Sequence, residues 1–153
     1  MLELDVEELR ELFSIRLALE TMALRRAAER FTPEDEERAR AHLAAFDDAR
    51  HRADTRAAMR EHSGFHFTLY EAAGSGWLLR LIRPCWDSCE RYRPVLLAET
   101  GTLQDQHEEL DGELLAACTA HDADRAAAAM HAHLQLATDI YTVELKGRSI
   151  FAF

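Results

Sequence analysis

The chain has 153 residues, 48% of them hydrophobic, and a formal net charge of −10 at pH 7. That is the size of a single domain with enough apolar material for a real core. Its negative field excludes gripping nucleic acid or an anionic membrane by overall charge. Six glycines, three prolines and an abundance of Ala, Leu, Glu and Arg favour helices throughout.

Six helical segments are predicted in chain order. The first runs from about Val6 to Arg30, with Asp5 as its N-cap. "FTPED" breaks it, because Thr32 can cap a new helix and Pro33 suits its first position. The second segment reaches about Arg50, and "HRADT" links it to the third, at roughly 55 to 73. "AAGSG" then supplies Gly74 for a left-handed cap. The fourth segment covers about 76 to 98 and contains Pro84, which should kink or split it. The fifth spans about 102 to 119, and the sixth, capped by Asp122, reaches about Leu145. The tail "KGRSIFAF" is hydrophobic but short. No strand-like alternation interrupts this series, and the short links favour antiparallel neighbours. The expected fold is an all-α antiparallel bundle of six, at most seven, helices.

Cys85, Cys89 and Cys118 cannot all pair within one chain and contain no CxxC, so they read as reduced packing residues. No apolar run reaches transmembrane length and the start is acidic, unlike a secretory signal. A cytoplasmic protein without a membrane partner is expected.

The histidines carry the chemistry. In the third segment Met59, His62, His66, Leu69 and Ala73 share one helical face. Leu103, His107, Leu110, Leu114 and Ala117 do so in the fifth, and Met130, His133, Ala137 and Ile140 in the sixth. His131 points away from His133, and His42, His51 and His121 stand in polar or turn contexts. Four inward imidazoles from three helices need shared hydrogen bonds or a cation. Imidazole pairs four apart can chelate zinc, nickel, copper or iron. The bland alternative is a polar core network with water. In the first segment Arg16 and Glu20 lie on the apolar stripe. They form either an i,i+4 ion pair or a guanidinium aimed at a carboxylate ligand. Arg91 and Arg93 are weaker candidates for the second role. Trp77 and Trp86 suit a core or an interface. No inward carboxylate offers itself as a general base, which disfavours a metalloenzyme.

Three blocks, "LFSIRLALETMALRRAAE", "HSGFHFTLYEAAGS" and "QHEELDGELLAACTAHDADRAAAAMHAHL", resemble the landmarks of the FCD domain. That is the C-terminal effector-binding domain of the FadR subfamily of GntR-type bacterial transcription regulators. The likeness covers roughly residues 5 to 145. It implies a homodimeric helical bundle whose members often hold a divalent metal by one aspartate and three histidines, with a small organic acid beside it. His66 matches the histidine of "FH", His107 the "EH" block, His133 the last helix and Arg16 the first-helix arginine. His62 stands where the family has aspartate, so the expected donors are His62, His66, His107 and His133, favouring zinc or nickel. The resemblance implies a carboxylate or hydroxy-acid effector and DNA contact only through a separate N-terminal winged helix-turn-helix. The alternatives are a metal-free helical effector or dimerisation module, and a metalloenzyme.

Overall fold

The computed structural model describes residues 6–92 and 101–144, and within them the side chains of 6–92 and 108–140. Six helices account for nearly all of this: α1 (Val6–Arg30), α2 (Pro33–His51), α3 (Thr55–Ala72), α4 (Gly76–Glu90), α5 (Gly101–Thr119) and α6 (Ala123–Glu144). No strand occurs among the described residues, and the all-α bundle expected from the sequence is the fold observed. Asp5, the tail and residues 93–100 lie outside the described residues.

The boundaries follow local chemistry. Thr32 caps α2 by accepting from the Asp35 amide, while the Asp35 side chain accepts from the Thr32 amide, with Pro33 next in line. Replacing Thr32 with Ala should cost about 1 kcal/mol, read as a shift in the urea midpoint at unchanged slope. Partial burial works against the Asp35 charge, but bonds from Arg38 and Thr32 prevail and hold its carboxyl below the ordinary value. The stability Asp35 contributes is therefore present above the unfolded carboxyl pKa and is lost as pH falls through the lower folded one.

Asp54 and Ser75 cap α3 and α4, and Asp122 accepts from the Arg125 amide at the start of α6. The turns after α2, α3 and α5 each use one left-handed residue, Ala53, Gly74 and His121. Only Gly74 adopts that conformation without a Cβ penalty. Helix α4 runs through Pro84 without a break. Both Pro84 and Arg80 are exposed, so water can serve the carbonyl that proline leaves without its helical donor.

Helix α1 is the hub, packing against α3, α4, α5 and α6, while α2 lies mainly on α3 and α5 on α6. Leu9, Phe13, Leu24, Phe65, Leu69, Ile82, Leu114 and Met130 are fully buried in the shared core. Each such side chain contributes about 1.5–3 kcal/mol relative to exposure. Helix α3 crosses α2 closely at Gly64, where a Cβ would stand 2.5 Å from the His42 ring. His42 is accordingly half-buried and bonded to Glu61 at 2.9 Å, a firmer placement than its polar sequence context implied. All three cysteines are free thiols. Burial pushes Cys118 up to about 12, which suits packing rather than reactivity.

Candidate metal centre

Three helices bring four potential ligands to one point inside the bundle. His62 and His66 come from successive turns of α3, His133 from α6 and Asp111 from α5. All are at most 2% exposed, and their donor atoms lie within 4.8 Å of one another. Asp111 Oδ1 is 2.8 Å from His133 Nε2 and 3.2 Å from His66 Nε2, and its Oδ2 is 3.6 Å from His62 Nε2. The two α3 imidazoles face each other, Nε2 to Nε2, at 3.1 Å.

These separations test whether a metal fits. Donors at about 2.1 Å from a common ion stand roughly 3.0 Å apart at right angles and roughly 3.4 Å apart in a tetrahedron. The observed 2.8 to 3.6 Å spans both values. Three nitrogens and a carboxylate oxygen converging in a buried core are the chemistry of such a site.

Aromatic rings surround the two α3 imidazoles. Trp86 lies 5.7 Å from the His62 ring and 5.0 Å from the His66 ring, centroid to centroid. Phe46 flanks His62 and Phe65 flanks His66. Burial alone would raise the Asp111 carboxyl, but the imidazoles of His66 and His133 outweigh it and hold Asp111 well below the usual carboxylate range. Burial moves His66 the other way, below the ordinary imidazole value, against the pull of Asp111. At neutral pH the centre thus pairs an ionised carboxylate with a His66 imidazole that is neutral.

A second polar group abuts the first. Arg16 and Glu20 of α1 are both buried, with Arg16 Nε 2.6 Å from Glu20 Oε1 and Nη2 3.4 Å from Oε2. The Tyr70 hydroxyl donates to Glu20 Oε2 at 2.7 Å and stands 3.5 Å from His66 Nδ1. The Arg16 guanidinium lies over Trp86 at 4.8 Å. Burial on its own would lower the Arg16 pKa, but Glu20, with Cys89 and Tyr70, more than offsets this and keeps it well above the ordinary value. Burial, then Glu20, raises the Tyr70 hydroxyl well above its ordinary value.

Of the residues the sequence singles out, the structure gathers His62, His66 and His133 and places Arg16 behind them. Arg16 adopts the i,i+4 pairing that the sequence allowed. The side chains of His107 and Arg93 lie outside the described residues. Arg91 is half-exposed at the end of α4, against Glu8, Ser88 and the Tyr92 ring, away from the buried cluster. Glu61 is turned to His42 and Arg60, as the helical period requires.

One sequence-based expectation is corrected here. An inward carboxylate does exist beside the imidazoles: Asp111 is buried, while Glu20 is inward as its place on the apolar stripe implied. A template of apolar positions on α5 passes over Asp111 because it is charged. Its signal was present, since Asp111, Leu114, Leu115 and Cys118 fall at helical spacing and all four are buried. Of the two roles the sequence offered Trp86, the structure takes the core. That residue is 2% exposed and belongs to the core, so it cannot anchor an interface, whereas Trp77 is 70% exposed beneath Arg80.

The FCD domain family model matches residues 11–136. The chain belongs to the FCD domain family. It is the effector domain of a GntR-type regulator, as its three sequence blocks implied. Among solved structures it is similar to E. coli McbR/YncC, with a TM-score of 0.77 at 24% identity over 87% of this chain and 67% of that one. At that identity the likeness shows a shared fold. No curated protein matches the chain. No helix among the described residues of this FCD domain is long and apolar enough to cross a membrane.

Proposed function

We propose that this FCD domain senses a small carboxylate or hydroxy-acid through one divalent transition metal held by His62, His66, His133 and Asp111. The observation that carries the reading is the convergence of those four buried donors at metal-ligand separations. His107 stands one turn before Asp111 on α5 and is the remaining candidate for the same sphere. A bound divalent ion would offset the Asp111 charge and, in octahedral geometry, offer positions to an oxygen ligand. Three nitrogen donors favour zinc or nickel, and the carboxylate readmits manganese.

The chain's own residues supply the rest. Asp111 lies within 3.6 Å of every imidazole in the cluster, the place of a ligand rather than of a general base, so sensing is preferred over hydrolysis. Arg16 is the cation assigned to the effector carboxylate, and it would have to share its fork with Glu20. Ligand binding among α3, α5 and α6 would bias their packing and so the placement of a DNA-binding domain attached N-terminally. A second copy of the chain is the proposed partner, meeting the exposed Trp77 and Leu81 of α4.

Elemental analysis tests the reading, on protein purified without chelator or nickel resin beside a His66→Ala variant. About one transition metal per chain, lost in the variant, is expected. Added zinc at about 100 times its Kd should stabilise metal-free protein by about 2.7 kcal/mol. No metal bound, with unchanged stability in zinc, nickel or manganese, would leave only a metal-free module.

A further inference from the structure

We propose that divalent metal enters the buried centre through a cleft between α2 and α5, past the Phe46 ring, and that the Arg50–Glu108 ion pair closes the cleft above it. What passes rests on the metal reading, while the port is a property of the metal-free protein.

An ion can reach donors this buried in the folded protein only where a wall gives way. Most of the described walls are firm. Trp86 and Phe65 belong to the main core, and Tyr70 is tied to Glu20 and through it to Arg16. Phe46 differs. It belongs to a small separate cluster with Ala49, Ala57 and Ala58, on a helix that packs mainly on α3. Its ring lies 5.6 Å from the His62 ring, and the Arg50 guanidinium lies over it at 5.7 Å. Arg50 in turn lines a cleft of about 400 Å³ with Asp47, His51 and Glu108. One aromatic ring therefore stands between a residue that lines the cleft and a ligand of the centre. Swinging it aside disturbs the small cluster and leaves the main core packed.

The cleft also suits a cation. Asp47 and Glu108 set two carboxylates against one guanidinium, an excess that raises the local concentration of divalent ions. Arg50 of α2 pairs with Glu108 of α5 across the seam between the two helices. Both side chains are about one-third exposed, so the pair is weak enough to open in thermal fluctuations.

Two variants open the port. Phe46→Leu thins the barrier while keeping an apolar side chain, and Arg50→Met removes the closing cation and leaves both carboxylates. Glu113→Gln is the control, because it breaks a similar pair, Arg125–Glu113, between α5 and α6, which carry two of the donors. Zinc association and dissociation are followed by stopped flow against a chromophoric chelator. Both port variants should speed both rates, Arg50→Met by about two- to fivefold, the rate equivalent of a part-exposed ion pair. Phe46→Leu should keep the affinity, since a barrier lowered for entry is lowered equally for exit. The control should keep wild-type rates. The second readout is single-hit labelling of metal-free protein with diethyl pyrocarbonate, mapped by peptide mass, with the exposed His131 as internal standard. His62, which Phe46 flanks, should label ahead of His66 and His133, and faster in both port variants than in wild type or control. Zinc rates unmoved by Phe46→Leu and Arg50→Met overturn the port, as does a control that speeds exchange equally. If wild type binds no zinc, the metal reading falls alone and the labelling decides. His133 labelled first, or His62 labelling that neither port variant changes, then overturns the port.

Discussion

Asp111→Asn is expected to lower metal affinity by more than the ~10–100-fold that losing an outer partner costs. The substitution is nearly isosteric, so the buried cluster keeps its shape. It removes the one anionic donor and puts an amide NH₂ or carbonyl where a carboxylate touched three imidazoles. The measurement is competition with a chromophoric chelator, with helix content followed by circular dichroism. His107→Ala belongs beside it. The four described donors already converge without His107, so its loss should cost less than that of Asp111. An equal or larger loss would place His107 in the sphere as well. Metal retained in Asp111→Asn at wild-type affinity would remove Asp111 from the ligand set.

Arg16→Met should destabilise the fold by about 3–5 kcal/mol, the usual cost of stripping one member from a buried ion pair. Glu20 has 0% exposure and, among the described residues, would keep only the Tyr70 hydroxyl. Methionine fills much of the arginine volume, so the loss reports the stranded carboxylate more than a cavity. Denaturant unfolding of metal-free protein measures it. The double variant Arg16→Met/Glu20→Gln should recover a large part, because no uncompensated charge then remains inside. A loss under about 1 kcal/mol in the single variant, a surface-pair value, would mean that water reaches Glu20.

Most of the fold was legible because local rules agreed with one another. Thr32-Pro33, Gly74 and Asp122 each mark a helix end that the structure repeats. Pro84 misled only in part, since an exposed proline need not split a helix. The site was legible through its histidines: His62, His66 and His133 were placed inward by periodicity, and they are inward. Asp111 was not, since an apolar template skips a charged residue on the very face it traces. Tyr70 was beyond sequence reasoning for another reason. Its hydroxyl bonds Glu20, fifty positions away in the chain, a contact made only by the packing of α1 on α3.

The donors of the centre sit on α3, α5 and α6, while α2 and α4 contribute none. In polymer terms the cluster ties the middle of the chain to its last helix and closes the loops between them. A chain still lacking α6 has no His133, one of the four described donors. Only the finished bundle presents all four at once, so metal occupancy would count completed molecules and would favour them over any partly assembled form.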